Sequence, residues 1–178
     1  MGVYDDAQSQ LVKSIVEGRK DVTNRKTLGP MVPIQLFQAL RIVGMGTALE
    51  EMVGGGARTI VYQSGQRLGD LLGAALKPSA SGDLGKYVKL VHNLCRELRI
   101  GTVAAEKVDL ASGLIVLRVD ECVSCAGIEH AKVPICHFEA GMVAGIVRTF
   151  VDRPVKAVET RCHAVGDDTC AIEVRIIG

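Results

Sequence analysis

The chain has 178 residues, with 21 Lys plus Arg against 20 Asp plus Glu and a net charge of +1. That length suits one domain with a real core. A near-neutral balance without a basic stripe, and only 3% aromatic residues with no Trp, argue against a nucleic-acid partner.

No apolar run approaches the roughly 18 residues of a membrane span. The opening MGVYDDAQSQLVKSIVEGRK is charged throughout and lacks the apolar centre of a secretion signal. The expected compartment is the cytoplasm. There, six cysteines read as thiols or metal ligands rather than as a disulfide framework. Hydrophobic residues make up 48% of the chain, so the core is built from Val, Ile, Leu, Ala and Met.

Residues 1–30 are polar, with one amphipathic stretch at Leu11, Val12, Ile15 and Val16. They read as an N-terminal arm that packs on the domain or on a second subunit. The domain itself is expected over 31–178. Residues 33–52 read as a helix, with Leu36, Leu40 and Val43 at i, i+4 and i+7 and Pro33 suited to a first turn. The glycines at 54–56 stop it as a C-cap and turn. They match neither the dinucleotide fingerprint nor a Walker loop.

A second helix is expected over 58–76, with Val61, Leu68, Leu72 and Ala75 on one side. Gly65, Gly69 and Gly73 recur every four residues in it, and each costs a helix about 1 kcal/mol relative to Ala. Close packing of another helix backbone would explain them. So would room for a ligand, with these glycines as a pocket wall.

KPSASGD (77–83) reads as a loop. Residues 83–98 show the cleanest helical period, through Leu84, Tyr87, Val88, Val91, Leu94, Cys95 and Leu98. Cys95 in that stripe is a core residue, not a ligand. After Gly101 the period becomes two, and TVAAEKVDL and GLIVLRVD read as strands joined at Ala111-Ser112-Gly113. A cysteine-rich connection, ECVSCAGIEHAKVPIC, precedes a helix over about 137–151 that again carries glycines four apart, Gly141 and Gly145. VKAVETR and TCAIEVRII form a last hairpin around Gly166-Asp167-Asp168, where the aspartates serve the turn. The predicted class is α+β: an antiparallel sheet of two hairpins covered by helices, in one domain.

The chemistry concentrates in ETRCHAVGDDTC, residues 159–170. Cys162 and Cys170 flank the turn, so strand pairing brings their thiols together. Glu159 and Cys162 would face opposite sides of a straight strand, so a shared site requires the strand to end or bulge near Thr160-Arg161. Cys136 lies just before the fourth helix, whose N-terminus stabilises a thiolate. Cys136, Glu159, Cys162 and Cys170 would supply four anionic ligands, the number a structural zinc takes, and three thiolates favour a soft metal. Buried cysteines and an exposed glutamate with no metal would account for the same residues.

VPICHFEAGMVAGIV followed by VKAVETRCHAVGDDTCAIEV closely resembles the 4-vinyl reductase domain family. That family includes sensor domains of phenol- and xylene-responsive transcription activators, a bacteriochlorophyll-synthesis accessory protein and small archaeal hydrocarbon-binding proteins. More distantly it shares a fold with small subunits of the TRAPP vesicle-tethering complexes. The resemblance is strongest over roughly 113–176, weaker over the preceding helices and absent from the arm. It implies a zinc held by Cys136, Glu159, Cys162 and Cys170. It also implies a dimer, with residues 1–30 and the first apolar helix as the expected contact. The phenol sensors orient their ligand with aromatic and histidine side chains. This chain has no Trp and no histidine that aligns with theirs, so an aliphatic, isoprenoid or thioether-like ligand fits as well as a phenol.

Cys122 and Cys125 form a C-x2-C pair, a spacing typical of metal or redox chemistry. Three readings stay open. The pair joins the same metal site with Glu159 displaced, forms a second site with His130, His137 or His163, or is a thiol pair near a ligand pocket. No Ser-His-Asp or Cys-His-Asp constellation and no nicotinamide, flavin or nucleotide motif can be assembled. The chain reads as a binding module rather than an enzyme: a sensor or carrier for a small apolar ligand, signalling through a protein partner. An accessory subunit in tetrapyrrole or cofactor synthesis (vinyl reduction) and a non-catalytic scaffold subunit are the other expectations.

Overall fold

The computed structural model describes residues 2–19, 25 and 27–177. The parts of the expected arm at 1, 20–24 and 26, and residue 178, lie outside them. Helix α1 (Asp5–Val16) comes first, and its Ile15 and Val16 pack on the helical core. α2 (Ile34–Ala39) runs through a wide π-turned segment, Leu40–Ala48, into α3 (Leu49–Val53). Gly54, at φ 60°, ends that helix, and one 3-10 turn over Gly54–Gly56 leads into α4 (Ala57–Ala80). α5 (Leu84–Glu97) follows, capped by the Asp83 side chain, which accepts the Lys86 N–H at 2.8 Å. Strands β1 (Thr102–Asp109) and β2 (Leu114–Asp120), helix α6 (His137–Val151), and strands β3 (Val155–Arg161) and β4 (Cys170–Ile176) complete the chain. The expected α+β class, one domain with two antiparallel hairpins, is what the chain adopts. The sheet order is β1-β2-β4-β3, so the hairpins join through β2 and β4.

Two expectations need correction. Residues 77–83 are not all loop, because α4 continues to Ala80 with Pro78 inside it. Burial of Leu76 and Ala80 in the helical core extends the helix through a residue that lacks an N–H. The helix expected over 33–52 is not regular either: its middle is π-wound, a rare geometry that is more often met at functional sites. Leu36, Leu40 and Val43 stay exposed on it, while Arg41 is turned inward.

α6 is the central element. It is apolar on nearly every side, as a helix buried in the interior must be. Ala140 and Ala144 face the sheet, packed with Val155, Ala157, Ile172 and Val174. Met142 and Ile146 face α4 and α5, packed with Leu72, Leu76, Tyr87 and Leu94. Tyr87 donates to the Ile146 carbonyl at 2.9 Å, and its ring lies 4.6 Å from that of Phe150.

The two glycine rows meet. A Cβ at Gly65 would lie 2.0 Å from the Phe138 carbonyl oxygen, and one at Gly69 2.1 Å from that of Met142. In return, Gly141 abuts the Tyr62 carbonyl and Gly145 that of Gln66, at 2.0 and 2.3 Å. Gly73 meets Tyr87 and Thr149 side chains at 2.8 and 3.0 Å. The reading of Gly65, Gly69 and Gly73 as a pocket wall is therefore corrected: their face is filled by α6 and its neighbours. Small residues here let two helix backbones touch.

Gly69→Ala should lower stability by about 1–3 kcal/mol through overpacking, despite the better helix propensity of Ala. Gly55→Ala, where an added Cβ meets nothing within 4 Å, should not lower it. Urea unfolding of the two variants checks this, and equal midpoints would contradict the close contact.

Candidate metal centre and adjoining cavity

The strand β3 alternates, with Val155, Ala157 and Glu159 pointing into the core and the residues between them outward. Glu159 therefore stands where an apolar residue would be expected. After it the register with β4 slips: Glu159 pairs with Ile172 and Arg161 with Ala171, leaving Thr160 as a bulge. A bulge adds one residue and reverses the side-chain phase beyond it. That is how Cys162 comes to the same side as Glu159, as the shared site required. The turn behind Cys162 is held by Asp167, which accepts the Cys162 N–H at 2.7 Å.

Cys136 caps the start of α6, and its N–H donates to one Glu159 oxygen at 2.9 Å. The other Glu159 oxygen, Oε1, is buried with no hydrogen-bond partner. The ligand atoms of Cys136, Glu159, Cys162 and Cys170 all lie within 4.8 Å of one another. A second group shares two of these residues: Cys122, Cys125, Cys136 and Cys170, again within 4.8 Å. Cys122 Sγ is 3.6 Å from Cys136 Sγ, and Cys125 Sγ is 3.3 Å from Cys170 Sγ. All five cysteines are buried and free. The C-x2-C pair thus joins the cluster. No histidine enters either group among the described residues, so the reading of a second site with His130, His137 or His163 is corrected. Cys95 lies elsewhere, in the helical core, where burial pushes its thiol up to about 11.

Crowding so many acidic groups in a dry site splits their protonation. Burial, then the neighbouring Cys162, pushes the Glu159 carboxyl up to about 9. Hydrogen bonds from Cys125 and Cys136 bring Cys162 down to about 5. Cys122 is lowered by Cys125, Cys136 and Cys170, while Cys125 and Cys136 are raised, chiefly by Cys122. Cys170, raised by Cys122 but lowered by Cys125, Cys136 and Cys162, comes to about 4. Repelling anions of this kind are what a bound cation relieves. The donor set, thiolates with one carboxylate, fits a metal ion.

The segment carrying Cys122 and Cys125 also anchors a buried polar network that the sequence reading missed. Ser124, between the two cysteines, donates to Glu139 Oε1 at 2.6 Å. Arg41 donates to Glu139 Oε2 at 2.9 Å, and its guanidinium lies 4.5 Å from the centre of the Phe138 ring. Gln38 donates to the Val123 and Ala126 carbonyls at 3.1 and 2.9 Å, tying this loop to α2. Arg41 and Glu139 are 98 residues apart, so no spacing rule pairs them.

Beside this network lies a cavity of about 180 Å³. Ile42, Met45, Val61 and Ile135 supply apolar walls, and Arg41 and His137 supply polar ones. Arg41 Nε is buried there without a partner. Burial, then the nearby Arg58 and Arg41, lowers the His137 pKa, which favours a neutral imidazole. Ser124 lines this cavity from between two cluster cysteines, and Ile135 and His137 line it on either side of Cys136. Among the described residues, no helix is long and apolar enough to cross a membrane.

A family model for the 4-vinyl reductase domain matches residues 115–176, which span β2, the cysteine segment, α6 and the last hairpin. An uncharacterised protein of Methanocaldococcus jannaschii is 31% identical over 180 residues, covering 99% of this chain and 96% of the relative. The chain belongs to the 4-vinyl reductase domain family. The likeness to that archaeal relative runs through the preceding helices and the arm as well, further than the motifs alone indicated.

Solved structures share the 4-vinyl reductase fold. The phenol-responsive sensory domain of the transcription activator PoxR, solved with phenol, superposes with a TM-score of 0.67 at 18% identity, covering 99% of this chain and 91% of that one. A vinyl-4-reductase family protein from Methanocaldococcus jannaschii superposes at 0.65 and 14% identity, covering 100% and 97%.

Glu139→Ala would strand the buried Arg41 charge and should destabilise the protein by about 3–5 kcal/mol. The paired change Arg41→Met with Glu139→Leu should cost far less. Chemical denaturation of both checks this, and equal losses would contradict a coupled buried pair.

Proposed function

We propose that this 4-vinyl reductase family protein is a sensor or carrier domain for a small, largely apolar ligand, with a structural zinc that holds the wall of the ligand cavity. The observation that carries the reading is shared backbone. The residues flanking Cys136 and the residue between Cys122 and Cys125 line the cavity, so whatever fixes the thiols fixes its wall. An apolar cavity of about 150 Å³ is already large enough for benzene. The likeness to a phenol-responsive sensory domain supports the same reading. The unpartnered Arg41 Nε and the neutral His137 suit a ligand with one hydrogen-bonding oxygen on an apolar body. If such a ligand buries about 200 Å² of apolar surface, roughly 5 kcal/mol is available before association costs. Affinity between micromolar and millimolar follows, which suits a sensor.

The zinc would sit on Cys136, Glu159, Cys162 and Cys170, with all four positions taken by protein, so its role is structural. Structural zinc sites bind with about 10–16 kcal/mol, comparable to the whole stability of a domain. Residues 31–178 would form the ligand-binding unit and 1–30 an arm. The exposed apolar side chains Leu36, Leu40 and Val43 would seat a second copy or a protein partner that receives the signal. The reduced cytoplasm keeps such thiols available to metal.

The test combines zinc analysis with thermal shift on the purified chain. A strong chelator should remove zinc and lower the midpoint. Phenol and linear alcohols of similar size should raise the midpoint of the zinc form, and Met45→Trp, which fills the cavity, should abolish that rise. A midpoint indifferent to zinc loss would overturn the structural role. No shift with any of these probes would overturn the ligand class.

A further inference from the structure

The two four-ligand groups overlap on one edge, Cys136 and Cys170. A single metal in either group leaves part of the cluster unexplained. With the metal on Cys122, Cys125, Cys136 and Cys170, Glu159 remains buried and aimed into the cluster with Oε1 unpartnered. With the metal on Cys136, Glu159, Cys162 and Cys170, two further thiols stand against the shared sulfurs at 3.6 and 3.3 Å. Those spacings approach the edge of a zinc–thiolate tetrahedron, about 3.8 Å for a Zn–S bond of about 2.3 Å.

We propose that the cluster is a binuclear centre, with one metal ion in each group and the Cys136 and Cys170 sulfurs bridging them. The inference rests on the structural-zinc reading and adds a second ion on Cys122 and Cys125.

Charge supports it. Two dications on five thiolates and one carboxylate leave two negative charges. One dication on four thiolates leaves the same remainder, as in an ordinary zinc site made of four cysteines. One dication on all six groups would leave four negative charges in a dry core, or force protons onto residues already held at ligand spacing. Bridging also suits the two shared residues. Cys136 sits at the N-terminus of α6, the positive end of its dipole. Cys170 Sγ accepts the His163 N–H at 3.5 Å. The bulge at Thr160 brings Glu159 and Cys162 to one ion. The tight turn after Cys122, where the Cys125 and Ala126 N–H groups both bond the Cys122 carbonyl at 3.2 and 3.0 Å, presents its two thiols to the other. The second ion would then pin Ser124, and through it the cavity wall.

The full chain, purified under reducing conditions and loaded with zinc, is weighed by native mass spectrometry, which reports metal content and foldedness together. The expected result is two zinc ions per chain, falling to one in Cys122→Ser and to one in Cys162→Ser, and unchanged in Cys95→Ser. The cadmium-113 form should give two resonances coupled to each other through the shared sulfurs. One zinc per chain, unaltered by Cys122→Ser, overturns the binuclear centre and leaves the single structural site standing. The same holds for one zinc with a Cys122–Cys125 disulfide. No zinc in a folded chain overturns both.

Discussion

Backbone-to-backbone contact between α4 and α6 is the constraint from which the rest of the molecule is built. Glycines on both helices remove the side chains that would hold them apart, and each helix presents carbonyls to the other's bare Cα atoms. α6 is thereby clamped between α4 and the sheet, with its N-terminus at a set depth. Cys136 and Glu139 lie in its first turn. The position of one metal-ligand candidate and the position of the charge that receives Arg41 follow from the same seam.

At that end of α6 three separate stretches converge: the C-x2-C turn, the helix start and the bulged end of β3. Each arrives for a different local reason, yet all place acids in a dry site. Such a cluster is unfavourable alone and favourable around a cation. The proposed metal thus does for this end of the domain what hydrocarbon packing does for the other. The cavity lies between these two regimes. Its walls come from the π-wound helix on one side and from the cysteine segments on the other, so binding and metal loading share a boundary.

Much of this was legible in the chain. The change from a helical period to a period of two located both hairpins. The odd separation of Glu159 and Cys162 demanded a bulge where one is found. The glycine rows announced a close approach, but the sequence alone did not say that each row faced the other. What stayed hidden depended on long-range partners. Arg41 sits in a segment whose periodicity suggested a plain amphipathic helix, and only the π-wound geometry turns it toward Glu139. Helix α4 passes Pro78 because tertiary burial outweighs a local breaker. The role of Cys122 and Cys125 was open because their neighbours in space, Cys136 and Cys170, are 14 and 45 residues away.

The central claim is that metal holds the cavity wall. The direct measurement is amide hydrogen exchange of the metal-loaded and chelated chain, followed by mass spectrometry of peptides. The account predicts that chelation strips protection from residues 122–137 and 159–170, while α4 and α5 keep theirs through the glycine seam. Unchanged protection over 122–137 after complete metal removal would contradict it.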